Sequence, residues 1–360
     1  MTVAGGFYLG TIPSRCILLV ATYLLLAGWV AKADKRHFAG EAIDAELLCE
    51  GQLAEHAACQ CRQVEGDISC INAQFVDTNI FVDIAKNYKS LQSVTFHGNN
   101  FQDLPQDPLF GRGTHDFLLR LNISANYIVN LNPNALRGMP NLQILDMSNN
   151  EIVLKPSDVE FLSHTPALTQ LYLRRAFTST VNRTIQFNQM LEMFQKAKLN
   201  NLQVLDLSYN YLQSVPYGLA CPFPSLHTLD LRQNFLKSFD VNVTCIKNLH
   251  TINLNRNSFH TIPTSFQKMA DSLAPQTFLM RNPLYCDCES HEYIAWIRST
   301  NALRDRNSLV CSRASPKNYE GVRAMEVQVE KLTCNERFIK SCHQMNLPLF
   351  VFFLIVSFIF

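Results

Sequence analysis

Twelve cysteines are the side chains best suited to chemistry in this 360-residue chain. That number is high for a cytosolic protein, and it indicates either disulfide bonds in an oxidising compartment or a bound metal. Zinc would be considered first at the two Cys-x-Cys pairs, Cys59/Cys61 and Cys286/Cys288. Because zinc-binding cysteines are usually separated by two to four residues, these pairs favour disulfides, and we expect no metal or other cofactor.

Catalytic motifs are missing from the sequence. It contains neither H-E-x-x-H nor G-x-S-x-G, and the Gly111–Thr114 segment is typical of an ordinary loop rather than of a phosphate-binding one. Lys and Arg total 31 against 30 Asp and Glu, a net charge of +1. This balance argues against nucleic acid or a polyanion as the obligatory partner. The sequence therefore predicts a protein that is not an enzyme.

The first 33 residues have the pattern of a secretory signal peptide. An apolar run, Cys16–Val30, is followed by the small-x-small site Ala31-Lys32-Ala33, and we expect cleavage after Ala33. The alternative is a membrane-spanning helix, but the run covers only about 22 Å against a ~30 Å bilayer core. Residues 34–48 are expected to form a linker.

The last fourteen residues, Leu347–Phe360, form a hydrophobic tail after a spacer at residues 335–346. At about 21 Å the tail is short for a membrane span, and it resembles the signal for a GPI anchor. The small-residue cleavage site near Asn335 is a poor one, because Arg337 lies two positions on. A membrane-spanning segment and a truncated gene model remain alternatives.

Between these ends, the pattern L-x-x-L-x-L-x-x-N-x-L occurs about eight times in residues 91–281. Alternating leucines predict short strands that point them inward, and stacking such repeats builds a continuous core beneath a parallel sheet. The recurring Asn is expected to pair with backbone groups at the turn after each strand. We predict an α/β solenoid with the sheet on its concave face. The Asn position is occupied by Asn99, Asn126, Asn150, Ala176, Asn210, Asn234, Asn257 and Asn282.

Two cysteine clusters flank the repeats, Cys49, Cys59, Cys61 and Cys70 before them and Cys286, Cys288, Cys311 and Cys334 after them. The clusters resemble the cysteine-rich caps of extracellular leucine-rich-repeat proteins, the class of Slit and the Toll ectodomains. The resemblance implies an N-terminal cap at residues 49–90 and a C-terminal cap at residues 282–334. It also implies first-to-third and second-to-fourth pairing, which gives Cys49–Cys61, Cys59–Cys70, Cys286–Cys311 and Cys288–Cys334.

Cys221 and Cys245 lie at equivalent positions in adjacent repeats. Equivalent positions on stacked coils can come within the ~4.4–6.8 Å Cα separation that a disulfide requires. We predict a fifth disulfide here, with a pair of buried thiols as the alternative.

Outward-facing strand positions are the candidate ligand site. In the N-terminal repeats they are small and mostly neutral, whereas the C-terminal repeats carry Tyr and Arg, which are enriched in protein-binding hot spots. The alternative is a solvated charge lattice in which Asp206 and Asp230 pair with Arg174 and Arg232. The candidate residues are Tyr172, Arg174, Arg175, Tyr209, Arg232, Arg256 and Phe278.

Three N-glycosylation sequons begin at Asn122, Asn182 and Asn242. A glycan on Asn122 would obstruct the second repeat and leave repeats four to seven for a ligand. Repeat four is irregular, since it has Ala176 at the Asn position and is followed by the longest interval. Apolar residues in that interval, Phe187, Met190, Leu191 and Phe194, predict an amphipathic helix on the convex side.

The sequence predicts a non-enzymatic recognition protein on the extracellular face of the plasma membrane, a receptor, co-receptor or adhesion molecule. Its partner would be an extracellular protein or a cell-surface co-receptor, and a homo-oligomer is possible. The membrane would be reached through the C-terminal tail or a lipid anchor. The alternative is a secreted matrix or humoral binding protein without an anchor.

Overall fold

The computed structural model describes residues 59–62, 64–273 and 276–334, which lie within one compact unit. The signal peptide, the linker, Cys49, the spacer and the hydrophobic tail lie outside the described residues, so their assignments stay predictions. Within the described ranges no helix has the length and apolar character to cross a membrane.

One ten-stranded sheet runs through the repeats, with its strands in chain order. The first two strands pair antiparallel as a hairpin, and every later neighbour pair is parallel. The strands are β1 Cys59–Arg62, β2 Asp67–Ile71, β3 Ser93–His97, β4 Arg120–Asn122, β5 Ile144–Asp146, β6 Gln170–Tyr172, β7 Val204–Asp206, β8 Thr228–Asp230, β9 Thr251–Asn253 and β10 Gln276–Phe278. A separate parallel pair joins β11 Leu284–Cys286 to β12 Cys311–Ala314. We number the coils one to eight by their strands, β3 to β10.

Most helices lie in the connections between strands, and three short 3-10 helices follow the last strand, β12. The α-helices are α1 Asn79–Asn87, α2 Arg183–Ala197, α3 Thr264–Leu273 and α4 His291–Ser299. The 3-10 helices are Pro156–His164, Val243–Cys245, Arg306–Ser308, Lys317–Tyr319, Ala324–Glu326 and Val329–Lys331. The fold is therefore the predicted α/β solenoid, a leucine-rich-repeat horseshoe with a parallel sheet on its concave face.

The core is built from the middle residue of each strand. Leu121, Leu145 and Leu171 are in register on successive strands and are fully buried. Their neighbours on either side in sequence face out, because side chains alternate along a strand. Since one coil cannot enclose its own leucines, each coil is stabilised by the apolar surface of the next one.

The recurring Asn forms a ladder along the turn after each strand. The Oδ1 atom of Asn234 accepts hydrogen bonds from the backbone N–H groups of Asn210 and Leu212, at 2.9 and 3.0 Å. Its Nδ2 group donates to the carbonyl oxygens of Leu207 and Leu231. The backbone groups of buried turns are thereby satisfied, which confirms the predicted role of the Asn.

Coil four interrupts the ladder, and α2 makes a substitute connection. Ala176 has no side-chain amide to offer to coil three. Gln186 on α2 instead accepts from the N–H of Leu154 at 2.8 Å and donates to its carbonyl oxygen at 3.0 Å. The predicted convex helix is confirmed, with Met190 and Phe194 buried as expected. Met193 and Ala197 are also buried, whereas Phe187 and Leu191 are only half-buried.

The disulfides close both ends and brace the middle of the solenoid. Bonds join Cys59–Cys70, Cys221–Cys245, Cys286–Cys311 and Cys288–Cys334, as expected. Cys61 is also disulfide-bonded. Its expected partner, Cys49, lies outside the described residues, so that pairing stays a prediction.

Polar groups of the caps replace missing coils at both ends of the sheet. At the N-terminal end, Asn99 accepts from the N–H of Phe75 and donates to the carbonyl oxygen of Cys70. At the C-terminal end, the Asp305 carboxylate accepts from the N–H groups of Leu279 and Met280, the shortest bond being 2.7 Å. In an inner coil the equivalent N–H of Leu254 donates to the next strand, to the carbonyl oxygen of Phe278.

Candidate ligand-binding face

The strand register places the outward side chains in straight columns across the sheet. The central column holds the last residue of each strand from β4 to β10, together with the equivalent residue of β3. Its members are Thr95, Asn122, Asp146, Tyr172, Asp206, Asp230, Asn253 and Phe278. Tyr172 and Phe278, two of the candidate residues, therefore lie on one face.

The carboxylates of the central column accept hydrogen bonds from the backbone of their own coil. Oδ1 of Asp206 accepts from the N–H of Ser208 at 2.8 Å, and Oδ1 of Asp230 accepts from the N–H of Arg232 at 2.9 Å. These bonds stabilise the turn in which the chain leaves the strand, which we call the strand exit. They explain why Asp and Asn recur at this position. The column is thus fixed by the fold, while its second carboxylate oxygens remain available to neighbours.

Negative charge and burial shape the middle of this column. The pKa of Tyr172 is raised by burial and by the carboxylates of Asp146 and Asp206 on the adjacent strands. Burial also raises the pKa of Asp230, and the neighbouring Asp206 adds to that effect. The Tyr172 hydroxyl donates to Oε1 of Gln170 at 2.8 Å, which holds the ring against the sheet. This part of the face is acidic, ordered and half-buried.

A second column is formed by the residue two positions after the central column in each coil. Two of its arginines contact different partners. The Arg174 guanidinium lies 4.6 Å from the centroid of the Tyr209 ring, a cation–π contact. Nε of Arg232 lies 3.2 Å from Oδ2 of Asp230. The expected charge lattice therefore exists only in part, because Arg232 pairs with Asp230 whereas Arg174 stacks on an aromatic ring.

A third column is formed by the next residue of each coil, where the chain leaves the strand. Its backbone is left-handed in every coil. The φ angles are 47° at Arg175, 62° at Tyr209 and 55° at Arg256. This conformation turns the chain away from the sheet, and non-glycine residues adopt it uncommonly. All seven candidate residues consequently belong to three neighbouring columns of coils four to eight.

The three sequon asparagines use their side-chain oxygens in the same way. Oδ1 of Asn122, Asn182 and Asn242 each accepts from the backbone N–H two residues on. Asn122 lies on the sheet face, as expected, and Asn182 is the N-cap of α2. Whether these positions carry glycans stays a prediction.

An aromatic surface beside the sheet was not anticipated from the sequence. The rings of Tyr211 and Phe235 stack with centroids 6.1 Å apart, and the Arg183 guanidinium lies 5.4 Å and 5.9 Å from the two centroids. The two aromatic residues directly follow the ladder residues Asn210 and Asn234. That shared position is the signal that could have revealed the surface. A crevice of about 20 Å³ beside Arg183 has room for about one water molecule.

A metal site has no support in the part of the chain that the structure describes. No group of three or more His, Cys, Asp or Glu side chains there is arranged to hold an ion. The Cys-x-Cys sulfurs are in disulfides and cannot act as thiolate ligands.

Family models for leucine-rich repeats match three parts of the chain. The model described as Leucine rich repeat matches residues 89–152 and 117–176. A two-copy leucine-rich-repeat model matches residues 200–243, and a further model matches residues 248–269.

Curated relatives and a solved structure extend the similarity beyond the repeats. Trophoblast glycoprotein of Macaca fascicularis is 24% identical over 78% of this chain and 67% of its own length. Human Toll-like receptor 5 is 27% identical over 59% of this chain, which spans 24% of that receptor. The crystal structure of human trophoblast glycoprotein, also called Wnt-activated inhibitory factor 1, aligns with a TM-score of 0.67 at 22% identity. The alignment covers 77% of this chain and 98% of the trophoblast glycoprotein chain, and the two chains have the same fold. These similarities support a receptor or binding role at the cell surface.

Proposed function

We propose that this chain, which belongs to the extracellular leucine-rich-repeat proteins with cysteine-rich caps, is a cell-surface receptor, co-receptor or adhesion molecule. In this proposal its ligand is an extracellular protein that binds the concave face of coils four to eight. The single observation that carries the proposal is the strand register, which sets Tyr172 and Phe278 in one column of the sheet face, with Arg174, Tyr209 and Arg232 just past the ends of β6, β7 and β8.

The composition of this face suits protein recognition. Aromatic and arginine side chains dominate the energy of protein interfaces, because they combine a large contact area with directional hydrogen bonds. Tyr172 and Phe278 are half-buried, so their contact surfaces are held in place before a ligand arrives. A preorganised surface loses less side-chain entropy on binding, which favours affinity.

The N-terminal coils offer a poorer surface. Their residues at the equivalent positions are small, as at Thr95, or buried, as at Ser148, and Asn122 of coil two is a sequon asparagine on the sheet face. A glycan there would add a bulky polar group beside any ligand. The proposed site is therefore confined to the later coils.

A screen of the full-length chain tests this function. The chain, displayed on mammalian cells, would be probed with a library of secreted and membrane-protein ectodomains. We expect at least one protein to bind, and we expect Arg174→Glu and Arg232→Glu each to weaken it by about tenfold or more, as for loss of an interface hot spot. Matched controls are Arg137→Glu and Lys247→Glu, which change exposed charges outside the strands. Equal binding by all four variants would contradict the proposed site.

The attachment to the cell is a separate question. The proposal includes a GPI anchor, which replaces the C-terminal tail when that signal is cleaved, and the alternative is a secreted matrix or humoral binding protein. Treatment of intact expressing cells with phosphatidylinositol-specific phospholipase C should release the protein into the medium. Protein that is found in the medium without treatment would favour the secreted alternative, and protein that stays on treated cells would favour a membrane-spanning segment.

A further inference from the structure

We propose that the ligand of this face presents an acidic, extended protein segment, which crosses the strand exits of coils four to eight. This inference rests on the proposed function and specifies the chemistry of the partner. It derives from five arginines that we call the arginine rim, namely Arg174, Arg175, Arg232, Arg256 and Arg281. Arg281 was not among the residues selected from the sequence.

Positive charge is concentrated at one end of the strand-exit columns. In coils one to three the two exit positions hold His97 and Gly98, Ser124 and Ala125, and Ser148 and Asn149, with no Arg or Lys among them. In coils four to eight the same positions hold the whole rim. At about 4.8 Å per strand, the rim extends over roughly 19 Å. The near-zero net charge of the chain hides this local accumulation.

The charges of the rim are largely unneutralised within the described residues. Arg232 alone has an ion pair, with Asp230, and the Nε–Oδ2 contact does not have the angle of a hydrogen bond. Arg256 donates to Oε1 of Gln233 at 3.4 Å, which leaves its charge unpaired. Exposed Arg175 and Arg281 have neither an ion pair nor a side-chain hydrogen bond there.

Three rim arginines also occupy a backbone conformation that other residues adopt more readily. The φ angles are 47° at Arg175, 55° at Arg256 and 61° at Arg281, while Gly98 and Asn149 hold the same column in coils one and three. Gly and Asn enter the left-handed region with less strain than Arg. Ala125, Tyr209 and Gln233 hold the same column with φ of 57°, 62° and 56°, so the fold accepts several residue types there and does not itself require Arg.

Carboxylates are the anions that this surface fits best. Each guanidinium can donate two parallel hydrogen bonds to one carboxylate. The Arg174 guanidinium lies over the Tyr209 ring, 4.6 Å from its centroid, and this cation–π contact favours one position of the side chain. The rings of Tyr172 in coil four and Tyr209 in coil five would receive apolar side chains of the same segment.

The acidic column behind the rim favours a protein over a uniformly charged polysaccharide. Asp206 and Asp230 lie on the neighbouring strands β7 and β8, in the column two residues before the one that holds Arg174 and Arg232, and Asp230 forms an ion pair with Arg232. A sulfated polysaccharide would bring negative charge against the arginine rim and also against these carboxylates. A protein segment can place acidic residues on the arginines and neutral or basic residues on the carboxylates.

Labelled probes on cells that display the full-length chain test the inference. The acidic probe is an alternating Glu-Ser peptide of about eight residues, long enough at ~3.3 Å per residue to cross the rim, and made tetravalent to raise its avidity. The other probes are a matching Lys-Ser peptide and a heparin oligosaccharide of similar length. The variant Arg175→Gln/Arg256→Gln/Arg281→Gln removes three exposed charges of the rim. The control Arg112→Gln/Arg137→Gln/Lys247→Gln removes three exposed charges outside the strands.

We expect the Glu-Ser peptide to bind the wild type, to lose about tenfold or more in affinity with the rim variant, and to change less than about twofold with the control. Equal losses in both variants, or no binding to the wild type, would overturn the inference. Heparin that binds more tightly than the peptide and depends on the rim would assign the surface to a sulfated polysaccharide instead. A protein ligand that is recovered from the screen and does not respond to the rim variant would leave the proposed function standing and refute the acidic segment.

Discussion

Asparagine and aspartate recur at two positions of each coil, and the two positions serve different purposes. The ladder Asn is buried and bonds the backbone of the preceding coil, whereas the Asn or Asp directly after the buried residue in the middle of the strand stabilises the turn at the end of its own strand. The sequence pattern predicted the role of the ladder Asn, whereas it assigned Asp206 and Asp230 only to a charge lattice. It could not reveal which oxygen each backbone N–H would meet, because that depends on how adjacent coils are stacked.

The ladder makes a prediction about stability. Asn234→Ala leaves two buried N–H groups, those of Asn210 and Leu212, without their acceptor. We expect the free energy of unfolding to fall by about 2–4 kcal/mol, since each unsatisfied buried group costs about 1–3 kcal/mol. Urea unfolding under oxidising conditions measures the loss. The control Asn248→Ala removes one exposed hydrogen bond, to the carbonyl oxygen of Pro224, and should cost far less. Similar losses for the two variants would contradict the role of the ladder.

Asp230 makes a prediction about pH. Burial and the neighbouring Asp206 raise its pKa in the folded protein, so the folded state binds this proton more tightly than the unfolded state does. The contribution of Asp230 to stability is therefore present at low pH and is lost as pH rises through the raised pKa. Asp230→Asn keeps the acceptor for Arg232 but cannot ionise. We expect unfolding curves from about pH 4, near the ordinary Asp pKa, to pH 7 to show the variant gaining on the wild type as pH rises. A constant difference would contradict the shifted pKa.

At the scale of elements, α2 shows how far periodicity can predict packing. The spacing of Phe187, Met190 and Phe194 predicted the helix correctly. It did not predict that Met193 would be buried or that Leu191 would remain half-buried. The buried stripe is set by how α2 lies on the 3-10 helix Pro156–His164 and on the coil after it, which a one-dimensional pattern does not contain.

The packing of α2 can be tested with two substitutions in one helix. The fully buried Phe194 ring packs edge-on against Phe223, with centroids 5.1 Å apart. Phe194→Ala should cost about 3 kcal/mol or more, because it removes a large buried side chain and leaves a cavity. Ile185→Ala removes an exposed side chain near the start of the same helix and should cost less than about 0.5 kcal/mol. Thermal unfolding measures the loss of stability in each variant. Losses of similar size would contradict the role of Phe194 in the core.

The molecule as a whole is a stack in which each coil depends on its neighbours. The sequence predicted the repeats and the caps because leucine and cysteine spacing are periodic or clustered. It did not predict Asp305 as the group that closes the last coil, since one Asp in an irregular cap has no pattern to mark it. The arginine rim was identified only in part for a related reason, because unpaired charge becomes visible only when every neighbour has been located.

The end of the stack supplies a further prediction. Asp305→Ala removes the acceptor of the Leu279 and Met280 N–H groups, so the last coil should open more often. We expect faster amide hydrogen exchange in β10 and in the neighbouring β9. Exchange in β3 to β5 should be unchanged, because repeat arrays transmit stability mainly between neighbours. Uniformly faster exchange along the whole sheet would contradict this local closure.

The most direct test of the account is a hydrogen-exchange footprint of the full-length chain with the protein that the screen recovers. The account predicts protection at the strand exits of coils four to eight, around residues 172–175, 206–209 and 230–233, with little change in coils one and two. Protection that is confined to α2 and the convex connections, or to the N-terminal coils, would show that the sheet face of coils four to eight is not the binding surface.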